Sequence, residues 1–369
     1  MKILIYSDVH ISKTSSILPT TCGDSKYSYR QKMIIDTGNY IANLADEYRP
    51  DMIINLGDTF DQHTITSYDI DTASEFFKCF RTFNIPHLVL VGNHEMVNSN
   101  FNAIQLLSNI TNITVISKPC SISANNIMAM YGKEANLYDV KLAFLPYCEY
   151  TDILTFPEGD FLFSHLDIQG ATIRGNIKME EGVDSSILKE NYKLVFNGHI
   201  HKSSLYGNVV NVGSVTTHSF ADDNDNVPQC YIFDTETLNL QTFKPKICPL
   251  FRKFEINSVD DLNSKIEALD KSYKYILNCS CPFEIKEDVK DYLTTNESVL
   301  NHRLSVKVDK NVYREYLDES LIMQQSNLDS VKAFKEFLAT VELKYPIESY
   351  YKVLDNMEEG DVNYVNECW

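Results

Sequence analysis

The chain has 369 residues, about twice or more the usual length of a single domain, so two domains are expected. Its 44% hydrophobic and 23% charged shares, with 13 Gly and 11 Pro, exclude a disordered, collagen-like or low-complexity chain. A net charge of −18 excludes tight autonomous binding to nucleic acid or an anionic membrane, unless metal ions or a partner supply the missing positive charge.

From residue 1 to about 245, short apolar runs alternate with amphipathic stretches. The runs Lys2–Ser7, Met52–Leu56, His87–Val91, Lys141–Leu145, Asp160–Ser164, Lys193–Asn197, Asn208–Val212 and Gln229–Phe233 are short and rich in Ile, Val, Leu and Phe, which predicts buried strands. Between them, Tyr29–Glu47 (Ile34, Ile41, Leu44, Ala45) and Ile70–Phe83 (Ala73, Phe76, Phe77, Phe80) carry apolar residues at helical spacing, and Ser99–Ile110 is read as a third helix. Strands alternating with helices indicate an α/β domain over 1–245.

After Pro245 and Pro249 the pattern reads strand (Arg252–Ile256), helix (Ser258–Asp270), strand (Tyr273–Cys279), helix (Phe283–Leu293), strand (His302–Val308). Ser258 with Asp261 fits a capping box. This βαβαβ segment, 252–310, is expected to be a small second domain. From 311 to 369 the chain reads as helical. Val331, Phe334, Leu338, Val341 and Tyr345 recur every three or four residues until Pro346, a stripe that suits core packing or a partner surface.

The nine cysteines are scattered, with only a C-x-C at Cys279 and Cys281, which fits reduced thiols and not a disulfide framework. The opening MKILIYSDVH is too short for a signal segment and no stretch reaches the length of a membrane span, so a cytoplasmic protein is expected.

Nearly every predicted strand of the first domain ends in a residue able to bind metal. Strand one leads to Asp8-Val9-His10, strand two to Gly57-Asp58-Thr59-Phe60-Asp61, and strand three to Gly92-Asn93-His94-Glu95. Ser164-His165 and Gly198-His199-Ile200-His201 follow later strands. Ligands gather at the carboxyl ends of strands in such sheets, so these segments are expected to converge. In an extended backbone, residues two apart point the same way, so Asp8 and His10 are expected to grip one ion. Gly57, Gly92 and Gly198 are expected to allow tight turns before the ligands. The candidate set is Asp8, His10, Asp58, Asn93, His165, His199 and His201. Imidazole and carboxylate without thiolate suit manganese, iron or zinc better than calcium. Seven ligands exceed one site; with Asp58 shared they make two sets of four around a pair of ions, an arrangement used for displacement at phosphorus.

D-x-H, G-D-x-x-D, G-N-H-E, a lone H after a strand and G-H-x-H, in this order, resemble the calcineurin-like metallophosphoesterase superfamily. The resemblance implies a four-layer α-β-β-α sandwich, with Asp8, His10, Asp58 and His201 on one metal and Asp58, Asn93, His165 and His199 on the other. His94 matches the family's catalytic histidine, and Asp61 would orient His94 or a water. G-D-T-F-D is similar to the DNA-repair nucleases of the SbcD type. The phosphatase branch has Arg where this chain has Gln62. The stretches VVNVGSVTTHSFADDND (209–225) and YIFDTET (231–237) resemble the closing strands of the T-even phage recombination nuclease subunits.

What this branch implies is a two-metal DNA exonuclease or endonuclease, with Mn2+ the first choice and Mg2+, Fe or Zn as alternatives. It further implies a capping, DNA-recognition segment at 252–310 and docking of 311–369 onto an SbcC-like SMC/ABC-type ATPase. A homodimer with no membrane association is expected. At −18 the isolated chain would be repelled by DNA outside the metal crevice, so an ATPase subunit would supply the DNA clamp. A protein phosphatase, a small-molecule phosphodiesterase and a non-catalytic scaffold are the alternatives on the same frame. Among the remaining histidines, His87 and His302 read as structural or surface residues, while His63 and His218 lie near motifs and are candidates to touch substrate.

Overall fold

Alternation within the first strand, β1 (Lys2–Tyr6), sets the architecture. Ile3 and Ile5 enter one apolar cluster, and Leu4 and Tyr6 enter another on the opposite face. A strand apolar on both faces must be covered on both. The computed structural model describes residues 1–13, 18–98, 101–109, 113–134, 138–148, 156–174, 177–217, 219–220 and 226–307. The chain divides into two compact units, 1–305 and 306–369, and the elements below lie in the first, save the last two residues of the final strand. The expected helical segment 311–369, with its Val331–Tyr345 stripe, lies outside the described residues, as does His218.

The first sheet has the order β16 (Leu240–Phe243), β15 (Cys230–Asp234), β1, β2 (Met52–Asn55), β3 (His87–Leu90), β6 (Thr114–Ile116). β1, β2, β3 and β6 are parallel; β15 runs antiparallel to β1. The second sheet has the order β13 (Ser204–Tyr206), β14 (Val209–Asn211), β12 (Leu194–Asn197), β9 (Phe161–Ser164), β8 (Lys141–Leu145), β7 (Cys120–Ser123), with β14, β12, β9 and β8 parallel. Between the sheets lie Ile3, Ile5, Ile54, Leu88, Phe144, Phe161, Phe163, Phe196 and Phe233 in one cluster. The far face of the first sheet is covered by α1 (Tyr29–Tyr48) and α2 (Ser67–Lys78), which bring Ile34, Ile41, Ala73, Phe76 and Phe77 onto Leu4, Tyr6, Ile53 and Val89. The far face of the second is covered in part by α4 (Ser185–Asn191), through Leu188; α3 (Ala124–Met130) adds Ala124, Ile127 and Met128 to the inter-sheet cluster. The result is the expected α/β sandwich of two facing sheets with helices outside.

Register levels the strand ends. Tyr6 pairs with Asn55 and Asn55 with Val89; Leu145 pairs with Ser164, Ser164 with Asn197, and Asn197 with Asn211. All the loops leaving these parallel strands therefore emerge along one rim. Two small ribbons, β4 (Met96–Asn98) with β5 (Phe101–Asn102) and β10 (Thr172–Arg174) with β11 (Ile177–Lys178), lie on these connections.

Two local readings need correction. The third helix, read over Ser99–Ile110, is instead β5 followed by a 3-10 helix at Ala103–Asn109. Its start is set by Asn102, whose side chain accepts from the backbone N–H of Gln105 at 3.0 Å. The second helix, expected over Ile70–Phe83, starts three residues earlier at Ser67 and ends five residues earlier at Lys78. Thr66 and Asp69 form a reciprocal capping box at its start that apolar spacing does not reveal.

Residues 250–307 fold as β17 (Leu250–Glu255), α5 (Val259–Glu267), β18 (Tyr275–Pro282), α6 (Lys286–Thr295) and β19 (Val299–Lys307), with β17 and β18 parallel. Ser258 caps α5 by accepting from Asp261 N–H at 3.1 Å. Leu262, Ile266, Tyr275, Leu277, Cys279, Val289 and Leu293 give this segment its own core. Phe251 and Ile276 join Met33 and Phe220 in a separate cluster shared with the sandwich. The eight cysteines among the described residues carry free thiols. Among those residues no helix is long and apolar enough to cross a membrane.

Candidate metal centre

Three buried asparagines, each the last residue of its strand, organise the rim. Asn55 accepts from the N–H of Gly57 at 3.1 Å and donates to Thr59 at 2.9 Å. Asn197 accepts from Ser164 Oγ and Leu166 N–H and donates to the carbonyls of Leu166 and Gly198. It also donates to Asn211, which in turn donates to Ser204. Buried amides that satisfy turn backbones in this way fix loop conformation.

The first two loops are laced together: Asp8 N–H donates to Gly57 O, His10 N–H to Asp58 O, and Ile11 N–H to Thr59 O, at 2.7–3.1 Å. Asp8 and His10 are not extended, contrary to the simple i, i+2 argument. Both lie in the left-handed region (φ 55° and 49°), as do Asp58 (49°) and His199 (68°). Such φ values are uncommon for residues with a Cβ and persist where surrounding contacts over-determine them. Gly57 (φ 118°) does need its missing side chain for conformation. Gly92, by contrast, has ordinary extended geometry (φ −94°, ψ 179°), and its role is clearance. A Cβ on Gly92 would lie 2.2 Å from Asp58 Oδ1, and one on Gly198 2.4 Å from Ser7 Oγ.

All seven expected ligands meet at this rim. His10 Nε2 lies 3.7 Å from both Asp8 Oδ1 and Asp58 Oδ2 and 3.2 Å from His201 Nε2; His201 Nε2 is 3.9 Å from Asp8 Oδ1. On the other side of Asp58, His165 Nε2 is 3.3 Å from Oδ2. Asn93 Oδ1 lies 3.0 Å from His165 Nε2 and 2.9 Å from His199 Nδ1. Among the described residues two donor groups result, Asp8–His10–His201 and Asp58–His165–His199, with a third, His10–Asp58–His94, sharing His10 with one and Asp58 with the other. Donors about 2.1 Å from one ion stand about 3.0–3.4 Å apart; the spacings around His165 and Asn93 are 2.9–3.3 Å and those around Asp8, His10 and His201 are 3.2–3.9 Å.

Asp8 is fully buried, and neither carboxylate oxygen makes a hydrogen bond. Burial alone would raise its carboxyl, but the imidazoles of His10, His165 and His201 win and hold it below the usual range. Burial likewise pushes the imidazoles down, yet Asp61, Asp8 and Asp58 raise His10 to about 10, and Asp58 and Asp8 raise His165 to about 9. The carboxylates therefore call positive charge into a largely buried pocket, and an oxygen- and nitrogen-donor set without thiolate fits a divalent cation of the manganese, iron or zinc kind.

His94 stands at the edge, its Nε2 4.0 Å from Asp58 Oδ2. The cleft before it is lined by Asp61, Gln62, His63 and Asn93, which brings His63 next to the centre. Asp61 serves two rings: its carboxylate is 3.3 Å from His10 Nδ1 and its carbonyl 2.5 Å from His94 Nδ1. His87 is buried away from the rim against Tyr6, and His302 is half-buried on β19.

Sequence reasoning missed four residues. Glu95, fully buried, accepts from the N–H groups of Asp58, Phe60 and Gly92 and ties two ligand loops. Burial and the Asp58 charge push its carboxyl up to about 7. Asp167 Oδ1 lies 2.9 Å from His199 Nε2, orienting that ring from behind. Arg30, buried on α1, donates to the carbonyls of His10 and Thr217, clamping the first ligand loop. Asn197 was read only as a strand end. Glu95 and Asn197 had a local signal: Glu95 closes the G-N-H-E motif, and Asn197 adjoins Gly198.

A model of the calcineurin-like phosphoesterase family matches residues 1–203. Exonuclease subunit 1 of Enterobacteria phage T4 is 25% identical over 333 residues, covering 86% of each chain. Among solved structures, a novel archaeal phosphodiesterase matches 66% of this chain and 100% of its own at 14% identity, TM-score 0.34. The protein TT1561 of Thermus thermophilus matches 66% and 98% at 12% identity, TM-score 0.36.

Proposed function

Because the chain belongs to the calcineurin-like phosphoesterase family, we propose that it is a divalent-metal-dependent DNA nuclease, hydrolysing phosphodiester bonds as a subunit of an SbcCD-like recombination and double-strand-break repair complex. The observation that carries this reading is the position of Asp58 Oδ2, 3.7 Å from His10 Nε2 on one side and 3.3 Å from His165 Nε2 on the other. Asp8, His10, Asp58 and His201 would hold one ion; Asp58, Asn93, His165 and His199 would hold a second, with manganese the first choice. Such a pair supplies Lewis acidity toward phosphate oxygens and a water acidified toward neutrality.

The chain's own residues do the rest. His94, its Nδ1 proton donated to Asp61 O, presents Nε2 to the cleft. There it orients the phosphate or protonates the departing sugar oxygen, roles open to an imidazole. Asp61 positions both His94 and His10. Asp167 and Glu95 hold His199 and the Asp58 loop in register.

The DNA substrate is supported by the likeness to the T4 exonuclease subunit along 86% of both chains, and by Gln62 standing where the phosphatase branch has Arg. The charge of −18 supports a division of labour in which a partner, an SMC/ABC-type ATPase, holds DNA and this chain cuts it; in the same reading the chain is a homodimer, residues 252–310 cap the substrate and 311–369 dock the ATPase. The test compares linear duplex DNA with bis-para-nitrophenyl phosphate in Mn2+. DNA cleavage that chelation stops and Mn2+ restores is expected. Hydrolysis of the small ester with DNA left intact would remove the DNA reading, and co-purification with no ATPase would remove the complex.

A further inference from the structure

A second cleft of about 440 Å3 opens beside the metal centre, lined by Ile11, Lys13, Asp61, Gln62, Thr64 and Tyr68 among others. Asp61 and Gln62 line both this cleft and the one before His94, so the two adjoin. Its size is that of a small-molecule site. Its walls come from the loop that follows His10, from the loop that carries Asp61 to Thr66, and from the first turn of α2.

The side chains here have a consistent chemistry. Tyr68 keeps 51% of its surface exposed, although the phenylalanines further along the same helix are buried. Lys13 Nζ sits 3.4 Å from the centre of the Tyr68 ring, placing a cation and an aromatic face at one spot. The two acidic residues of the cleft are engaged inward. Asp61 Oδ1 is 3.3 Å from His10 Nδ1, and Asp69 Oδ2 accepts from Thr66 N–H at 2.8 Å and Thr66 Oγ1 at 2.6 Å. In a chain of net charge −18, the cleft thus presents a lysine, an aromatic ring and neutral hydroxyl and amide groups. That combination suits a nucleotide, whose base stacks on a ring and whose phosphate meets an ammonium.

We propose that this cleft is the subsite for a nucleotide flanking the scissile phosphodiester, with Tyr68 stacking the base and Lys13 contacting the phosphate, an assignment that rests on the nuclease reading above. It makes the pair specificity-determining: the metal centre acts on any accessible phosphodiester, and Tyr68 with Lys13 favours esters that carry a nucleoside.

The experiment uses the full chain with Mn2+ and two substrates, a single-stranded oligonucleotide and methyl para-nitrophenyl phosphate, which carries no nucleoside. The readout is the ratio of their kcat/KM values. Tyr68→Ala should lower that ratio about tenfold or more, the scale of one base stacked on an aromatic ring, while Tyr68→Phe keeps it. Lys13→Ala should reduce the slope of log KM for the oligonucleotide against log salt by about 0.7, one phosphate contact on a single strand. An unchanged ratio in Tyr68→Ala, with the oligonucleotide still cleaved, would overturn the subsite and leave the nuclease reading standing. Wild-type protein that hydrolyses the small ester but no oligonucleotide would take down both.

Discussion

His94 Nδ1 lies 2.5 Å from the carbonyl oxygen of Asp61. A carbonyl only accepts, so Nδ1 carries the proton, and the lone pair or second proton is left on Nε2, the nitrogen that faces Asp58. One backbone contact therefore fixes the tautomer of the ring nearest the cleft. His94→Gln should lower kcat by about 10²–10⁴-fold, the range of general acid–base residues. Metal uptake, read by calorimetry with Mn2+, should change little. An activity close to wild type would take His94 out of the chemistry.

Asp167 is one step removed from the ions, at 2.9 Å from His199 Nε2. Asp167→Asn should weaken Mn2+ binding by about 10–100-fold, as loss of such a partner does elsewhere, with activity recovered at high metal. Undiminished affinity in a metal titration would show that His199 needs no such support.

Gly92→Ala tests clearance. The added Cβ would come within 2.2 Å of Asp58 Oδ1 and 2.4 Å of Asp58 N. Neither neighbour can retreat, because Asp58 N–H donates to Glu95 and Asp58 Oδ1 accepts from His94 N–H. Cleavage should fall by at least tenfold, with overall helix and strand content, read by circular dichroism, preserved. Full activity in this variant would mean the Asp58 loop is looser than its bonding implies.

His87 gives a pH prediction independent of the centre. Burial against Tyr6, Phe77 and Phe80 pushes its imidazole from the usual 6.5 down to about 3. The unfolded chain binds a proton below about pH 6.5 that the folded ring refuses, so this contribution is complete above 6.5 and is lost as pH falls toward 3. Urea unfolding of wild type and His87→Phe across pH 4–7 should differ in slope by up to about 1.4 kcal/mol per pH unit, one proton, with wild type the steeper. Parallel curves would contradict it.

The rim was legible because each ligand follows an apolar run, and a strand buried on both faces can be read from four or five residues. Register then levels the strand ends without further instruction. What could not be read was the shape of the loops. Asp8 and His10 share a metal group through left-handed backbone, not extended backbone, because Asp8 N–H and His10 N–H are bonded to a loop about fifty residues away. Arg30 and Asp167 were invisible for the same reason: a lone charged residue shows its purpose only when its partners, 20 and 32 residues distant, arrive. The 3-10 helix at Ala103–Asn109 shares its apolar spacing with an α-helix over so short a span.

Of the seven converging side chains, Asp8, His10, Asp58 and Asn93 leave the first sheet, and His165, His199 and His201 leave the second. An ion seated among them would rivet the two halves of the sandwich at their open end, and its affinity would become part of the fold's cohesion. Ligand substitutions would then weaken the architecture and the chemistry together. Side chains outside those seven, His94 and Tyr68, are the ones whose loss reports chiefly on catalysis and substrate choice.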